Sequence, residues 1–373
     1  MKITNISIYP VRIPFSFSIN HHLKNRAMSS SVVVAVYTDD DKTGYGEGAP
    51  REYVTGESLS ELQNALENAQ AYCINRSINT IQDVDDLCQE LYAKYKMPSM
   101  ISALEIAFLD LLGQNQHCSI SRFLNNNQSF PINYSGVLPY LSLDKLLQWL
   151  MFVKKLELQQ IKMKVGYPND VENLALARKI LGWEVDIRVD ANRAWTMEQA
   201  IVRIKELERF NISCVEEPLI AEEIEKLPQL SRKVTMPLLL DESVYTLNQA
   251  AYFAEKINPK QLLFNLKISK SGGLRAASAI HKFAKAQGIA CQLGCNVGET
   301  AILSSAGRLF AQTHDLKYLE GSFAPFFMEE DIGTKPLTFS KKGIAQRLEG
   351  DGLGISIDLQ KLKKYSQPME IAS

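Results

Sequence analysis

Hydrophobic and polar positions follow three different rhythms along the chain. In residues 1 to about 55 the period is two. "TNISIYPVRIPF" and "SSSVVVAVYTDD" read as strands of a β-meander, and "DDDKTG" makes a polar turn before "YGEGAP". From residue 57 to about 125 the spacing becomes helical, in "ESLSELQNALENAQAYC", "IQDVDDLCQELYAKY" and "SMISALEIAFLDLLGQN". In the last of these, Ile101, Leu104, Ile106, Phe108, Leu109 and Leu112 leave little polar face, which predicts a buried helix. Strands followed by helices make an α+β unit.

From about residue 131 strand-like and helix-like segments alternate. "INYSGVLP" precedes "LDKLLQWLMFVKKL"; "QIKMKVG", "VDIRVDAN", "SCVEEPL", "PLLLDES", "LLFNLKIS", "ACQLGCN" and "KYLEGSF" follow, each separated by a helical stretch, one of them running through residue 229. Eight strands and seven helices predict an α/β fold, a modified TIM barrel of the (β/α)7β kind. An open doubly wound sheet would usually carry a glycine-rich phosphate turn after its first strand, and none is present. "SKSGGLRAA" reads as a tight strand-to-helix turn, with a phosphate site at a helix start as the alternative. The tail "GDGLGISIDLQKLKKYSQ" is irregular and strand-like. The expected organisation is an α+β domain over 1–125, rejoined by a C-terminal return over about 340–373, and a barrel over 126–339.

Composition narrows the function. The 373 residues suit one large and one smaller domain, with 46% hydrophobic and 22% charged residues, an ordinary globular balance. A net charge of −1 gives no attraction for nucleic acid or an anionic membrane. The six cysteines are scattered without zinc spacing and read as buried thiols in a reducing compartment. The first residues lack a signal-peptide core, and no apolar run approaches the roughly 20 residues of a membrane span. A cytoplasmic location is expected.

The strand ends carry the chemistry. Lys164, Asp190, Glu216, Asp241 and Lys267 follow one another at intervals of 26, 26, 25 and 26 residues, each at the C-terminal end of its strand. In a β/α barrel those ends share one face, where catalytic groups gather. Caps and ion pairs at the barrel rim are the alternative for any one of them; five at a near-constant period favour a single site. Lys162 and Lys164 are two apart and share a face. Three carboxylates from neighbouring strands suit a hard cation, Mg²⁺ or Mn²⁺, and not Zn²⁺. Such a cation stabilises charge on a substrate carboxylate while its α-proton is removed. Flanking lysines can act as base and acid if burial, the cation and a neighbouring ammonium lower their pKa.

These residues resemble the enolase superfamily and, within it, the muconate-lactonizing subgroup. "KMKVG" is similar to the Lys-x-Lys signature of the second barrel strand, "VDAN", "VEEP" and "DES" to the three metal-ligand motifs, and "NLKISKSGG" to the sixth-strand lysine motif. "SALEIAFLDL" and "GDGLGISID" resemble the helix before the barrel and the C-terminal return. The resemblance implies an α+β capping domain on the barrel, and Mg²⁺ held by Asp190, Glu216 and Asp241. It implies Lys164 and Lys267 as acid/base groups, Lys162 either in contact with the substrate carboxylate or tuning Lys164, and Asn192 and Glu242 as supports. Glu217, next to a ligand on a strand, is expected to point away.

A Mg²⁺-dependent racemase, epimerase or cycloisomerase is therefore expected, acting through an enediolate on an amino-acid derivative, a dipeptide or another small carboxylate. A homo-oligomer is the expected assembly. A dehydratase resembling o-succinylbenzoate synthase and a non-catalytic ligand-binding relative are the alternatives. Two loops, about 15–25 and 48–58, and the last strand ends are expected to choose the substrate. Arg51 and Tyr53 are its candidate contacts, Arg51 for a second anion, with an exposed loop charge as the alternative. His21 and His22 are either site residues or polar loop residues. Typical dipeptide epimerases carry Asp-x-Asp before Ala-Pro on the eighth strand; here Gly321-Ser322-Phe323 precede Ala324-Pro325, and Glu320 is the candidate replacement charge.

Overall fold

The computed structural model describes residues 1–20, 25–124 and 128–366. The chain opens with β1 (Ile3–Val11), β2 (Pro14–Asn20), β3 (Asn25–Met28), β4 (Ser31–Thr38) and β5 (Thr43–Gly48), followed by α1 (Glu52–Thr55), α2 (Leu59–Cys73), α3 (Ile81–Tyr95) and α4 (Pro98–Asn115). The strands are not a simple meander. β1 pairs antiparallel with β4, and β4 with β5, while β2 and β3 form a separate pair. The chain leaves the sheet near Ile13, because Pro14 and Phe15 are drawn to the barrel. The Glu329 N–H donates to the Pro14 carbonyl at 3.1 Å, and Phe15 forms a bridge with Met328.

Helices α2 and α3 begin at capping boxes, Ser58 with Glu61 and Thr80 with Asp83, which satisfy N–H groups that a first turn leaves open. Helix α4 is buried along nearly its whole length, as its sequence predicts, and starts at Pro98, whose missing N–H costs nothing there. It lies directly on β5. Gly44, Gly46 and Gly48 alternate along that strand, so one face has no side chains; a Cβ on Gly46 would sit 1.8 Å from the Ala103 carbonyl oxygen.

The barrel follows: β6 (Gly136–Leu138), α5 (Leu143–Lys155), β7 (Gln160–Lys164), α6 (Asp170–Leu181), β8 (Asp186–Asp190), α7 (Met197–Leu207), β9 (Ile212–Glu216), α8 (Leu227–Ser231), β10 (Leu238–Leu240), α9 (Leu247–Lys256), β11 (Leu262–Leu266), α10 (Ile268–Ser271), α11 (Leu274–Ala286), β12 (Ala290–Leu293), α12 (Ala301–Ala311) and β13 (Tyr318–Leu319). All eight strands are parallel and in sequence order, and the Ser135 N–H, donating to the Leu319 carbonyl at 2.8 Å, joins the two outer strands. The helix expected between β9 and β10 is instead a 3₁₀ turn, Ala221–Lys226, and the short α8 with Pro228 in its first turn. After α13 (Ala324–Phe327) the tail is irregular, but "LQKLKKYS" forms α14 (Leu359–Ser366) and not a strand. Asp358 supplies the reason: its carboxylate accepts the N–H groups of Gln360 and Lys361. α14 lies along β1, where the Arg12 N–H meets the Tyr365 carbonyl.

Apolar residues form two separate cores. The larger fills the space between strands, helices and the first 125 residues. The smaller, Cys214, Leu239, Leu263 and Tyr318, uses positions whose period-two partners reach the strand ends, so it fills the barrel interior beneath the mouth. The two halves of the chain are joined by buried acids. Glu47 accepts from Thr300 and Leu303 at the start of α12, and Glu105 accepts from Leu274 at the start of α11 (2.5 Å). Asp110 links Tyr45 to Leu353. Helix N-termini leave N–H groups unpaired, so Glu47 and Glu105 satisfy donors that burial would otherwise orphan.

Two outcomes test this packing. Gly46→Ala should lower stability by about 1–3 kcal/mol, the usual cost of overpacking, because the obstructing atom is a backbone oxygen. Urea titration of variant and parent measures it, and an unchanged midpoint would contradict the direct contact. The second concerns His314, buried against Phe310 (rings 3.7 Å apart) and His281 (4.8 Å). Burial pushes its pKa down to about 4 and lowers that of His281. The unfolded chain, with histidines near 6.5, binds more protons than the fold between those values, so stability falls as pH drops from about 6.5 to about 4. His314→Gln should flatten that acid loss; a stability difference from the parent that is the same at pH 7 and pH 4.5 would exclude the histidine.

Candidate active site

Period-two alternation turns Lys162 and Lys164 on β7, Arg188 and Asp190 on β8, Glu216 on β9 and Asn265 on β11 into the barrel. The register sets Lys164, Asp190 and Glu216 side by side, while Asp241 and Lys267 follow directly after β10 and β11. Of eight strands, β7 and β11 are four apart, so Lys164 and Lys267 stand on opposite sides of the mouth. The three acids span the arc between them. The other arc, β12, β13 and β6, contributes mainly small and apolar groups. All but one of these five residues, with Lys162, Asn192 and Glu242, line a cavity of about 1050 Å³ counted out to its open mouth, whose other walls include Val137, Pro139, Phe323, Phe327 and Met328. Glu216 lies just below it, fully buried.

Every acid of the arc meets an ammonium group. Lys164 donates to Asp190 Oδ2 at 2.7 Å and to Asn192 Oδ1. Lys162 lies 3.2 Å from Glu216, 3.3 Å from Asp190 and 3.0 Å from Glu320. Lys267 binds Asp241 Oδ2, and Lys270 binds Asp241 Oδ1 at 2.8 Å. Burial opposes the charge on Asp190, but Lys164 and Lys162 more than offset it and hold the carboxyl well below its usual range. Lys267 and Lys270 do the same for Asp241. Glu216 goes the other way: burial, with repulsion from Asp190, pushes it up to about 8. Burial acts to lower Lys267, yet Asp241 and Glu242 raise it; Lys162 is likewise raised, by Glu216 and Glu320. On Lys162 and Lys267 the neighbouring acids thus outweigh burial; the lowering expected of the acid/base lysines also invokes the charge of a bound cation.

Among the described residues, no three acids stand grouped as a formed metal cluster; each carboxylate is turned to its lysine. The donor set nevertheless fits a hard divalent ion. It consists of buried carboxylate oxygens from three consecutive strands, and Glu216 is pushed up chiefly by burial and further by repulsion from Asp190, both of which a bound cation would relieve. Buried Glu242 Oε2, beside this group, has no hydrogen-bond partner among the described residues.

Several supporting roles come from contacts that one-dimensional reading misses. Glu217 does point out of the cavity, as expected, but it is a brace: it accepts the N–H groups of Asp241 (2.8 Å) and Ser243 (2.6 Å) and so shapes the turn carrying the third acid. Asn192, at a positive φ of 45°, bridges Lys164 and Glu242. Lys270 is pinned by the carbonyls of Asp241, Val244 and Asn265. Arg188, fully buried, donates to Glu320 at 2.7 Å and to Ser135, with its guanidinium over the Tyr318 ring. Its place two residues before Asp190 was the available signal. Glu320 is thus committed to Arg188 and Lys162, and is not a spare charge for a substrate amine.

Tyr53 lines the cavity, whereas Arg51 does not. Arg51 is buried, and its guanidinium donates to the carbonyls of Ser30, Pro50 and Val297. The sequence placed it as a receptor for a second anion; the structure uses it to clamp the loop after β12 to the loop after β5. His21 and His22 lie outside the described residues.

Known proteins match the chain over nearly its whole length. The family described as "Enolase C-terminal domain-like" matches residues 148–361. The chain is 26% identical to a hydrophobic dipeptide epimerase of Enterococcus faecalis, over 95% of this chain and 100% of that protein. It is 27% identical to an N-succinyl-L-Arg/Lys racemase of Bacillus cereus, over 98% of each. The crystal structure of a dipeptide epimerase from Cytophaga hutchinsonii, complexed with Mg and the dipeptide D-Ala-L-Val, superposes with a TM-score of 0.90 at 25% identity, covering 98% of both chains. The chain belongs to the enolase superfamily, in its muconate-lactonizing subgroup, and is an isomerase of a small carboxylate.

Proposed function

We propose that the protein racemises or epimerises an N-substituted amino acid or dipeptide by removing and returning the proton α to its carboxylate. The observation that carries this reading is the pair of lysines on opposite sides of one mouth with three acids between them. Asp190, Glu216 and Asp241 would hold Mg²⁺. Bound there, the ion would stabilise the negative charge that develops on the substrate carboxylate as the α-proton leaves.

The side chains divide the remaining work. Lys162 sits deepest, fixed by Glu216 and Glu320, and supplies a fixed positive charge beneath the carboxylate. Lys164 and Lys267 face the α-carbon from opposite sides: one, in its neutral form, takes the proton while the other, as an ammonium, delivers one to the opposite face. Asn192 and Glu242 steer these two groups. Phe323, Phe327 and Met328 exclude water from the apolar part of the substrate. Elimination needs only one base, so the opposed pair favours isomerisation.

Asp241→Asn should weaken Mg²⁺ binding by about tenfold or more, since a neutral amide replaces an anionic oxygen and changes around ligands already cost about 10–100-fold. Calorimetric titration checks this, and an unchanged affinity would remove Asp241 from the ligand set. Lys164→Ala and Lys267→Ala should each lower racemisation by at least about a hundredfold. Each variant should still exchange the α-proton of one enantiomer with D₂O, and the two should exchange different enantiomers. If both exchange the same one, a single-base elimination replaces the present reading.

A further inference from the structure

The acids lining the cavity differ in what they meet. Asp190, Asp241 and Glu320 each form salt bridges with buried cations. Glu242 faces Asn192 and feels Lys267. Glu299, in the turn between β12 and α12, has no salt bridge among the described residues; its hydrogen bond is to the backbone N–H of Asn296, at 2.6 Å. Burial pushes its carboxyl up to about 8, and Arg51 and Lys267 only partly oppose that. The turn is held rigidly. Arg51 grips the Val297 carbonyl, Asn296 donates to the Ala49 carbonyl, and Thr300 is bound by Glu47. Gly298 packs so closely that a Cβ would lie 2.7 Å from that of Ser29.

A carboxyl group fixed in a largely apolar wall, without a cation of its own, is a poor neighbour for a second substrate anion and a good one for an ammonium. Its position fits that use. β12 follows β11, so Glu299 stands on the open arc of the mouth next to Lys267, away from the acids of the other arc. A substrate whose carboxylate lies toward those acids directs its N-substituent the other way. We infer that Glu299 receives the terminal ammonium group of a dipeptide substrate, taking the place of the acids that this chain lacks at Gly321 and Phe323. Pairing with the ammonium supplies the cation that this half-buried carboxyl group lacks. This rests on the α-proton reading above, and it narrows the substrate to amino acids N-acylated by a residue with a free amine. Glu320 cannot serve, because Arg188 and Lys162 already hold it.

The test compares two probes that differ only in the amine. A set of L-Ala-L-X dipeptides and the matching N-propionyl-L-X amino acids are incubated in D₂O with Mg²⁺ and the full-length enzyme. The parent should exchange the dipeptides with kcat/KM at least about tenfold above their N-propionyl partners, the scale of one charged hydrogen bond. Glu299→Gln should raise KM for the dipeptides by at least about tenfold, with kcat changed little, and leave the N-propionyl compounds unaffected. Glu299→Asp, which keeps the charge, should recover part of the preference, and melting curves of all variants control for folding. A parent preference for the N-propionyl series, or equal losses for both series in Glu299→Gln, overturns the role of Glu299 while leaving the isomerase reading standing. Exchange of neither series by the parent overturns both.

Discussion

A charge taken out of water must find its opposite, and the mouth of this barrel is assembled under that rule. Lys162, Arg188, Asp190, Glu216, Asp241, Lys267 and Lys270 are all buried, and each lies against a charge of the other sign. Such groups do little for stability by themselves, since desolvation consumes most of the Coulomb gain. What they fix is geometry. With one partner missing, the other would be left buried and uncompensated, so every member has one place to be. The order around the barrel, lysine, three acids, lysine, follows from the order of the strands, and the chemistry follows from that order.

Stability has to come from elsewhere, and the two apolar cores supply it. The larger core runs through α4, which touches β5 backbone to backbone because the glycines of "TGYGEG" leave it room. From this shared slab Glu47 and Glu105 reach the buried first-turn N–H groups of α12 and α11. The same contacts that hold the first 125 residues on the barrel also fix the loops around the mouth. Arg51 belongs to this framework: by binding three carbonyls it sets the turn that carries Glu299.

The cavity wall then divides into two arcs of different character. One is ionic and closed by lysines. The other is largely apolar, with Glu320 held by Lys162 and Arg188 and Glu299 held by a backbone N–H. On the proposed reading, a substrate with a carboxylate at one end and an apolar body would lie across them in one direction, as stereochemical control at the carbon between two opposed lysines requires.

By itself the sequence determined the periodic part of this protein. Period-two and helical patterns gave the strands and helices, and the 26-residue repeat of charged strand ends placed Lys164, Asp190, Glu216, Asp241 and Lys267 on one mouth, because a β/α unit returns each strand to the same face. Other features were visible but ambiguous: the alternating glycines of β5, and Arg188 two residues before Asp190. What only the tertiary structure decided were contacts between residues far apart in the chain. Arg188 and Glu320 are 132 residues apart, and Arg51 and Val297 are 246 apart. No local pattern shows whether such a charge faces a substrate or a buried partner, since that depends on which strands and loops become neighbours. The same reason separates β2 from the sheet, turns "LQKLKKYS" into a helix against β1, and leaves Glu299 as the acid of the cavity wall whose hydrogen bond is to backbone.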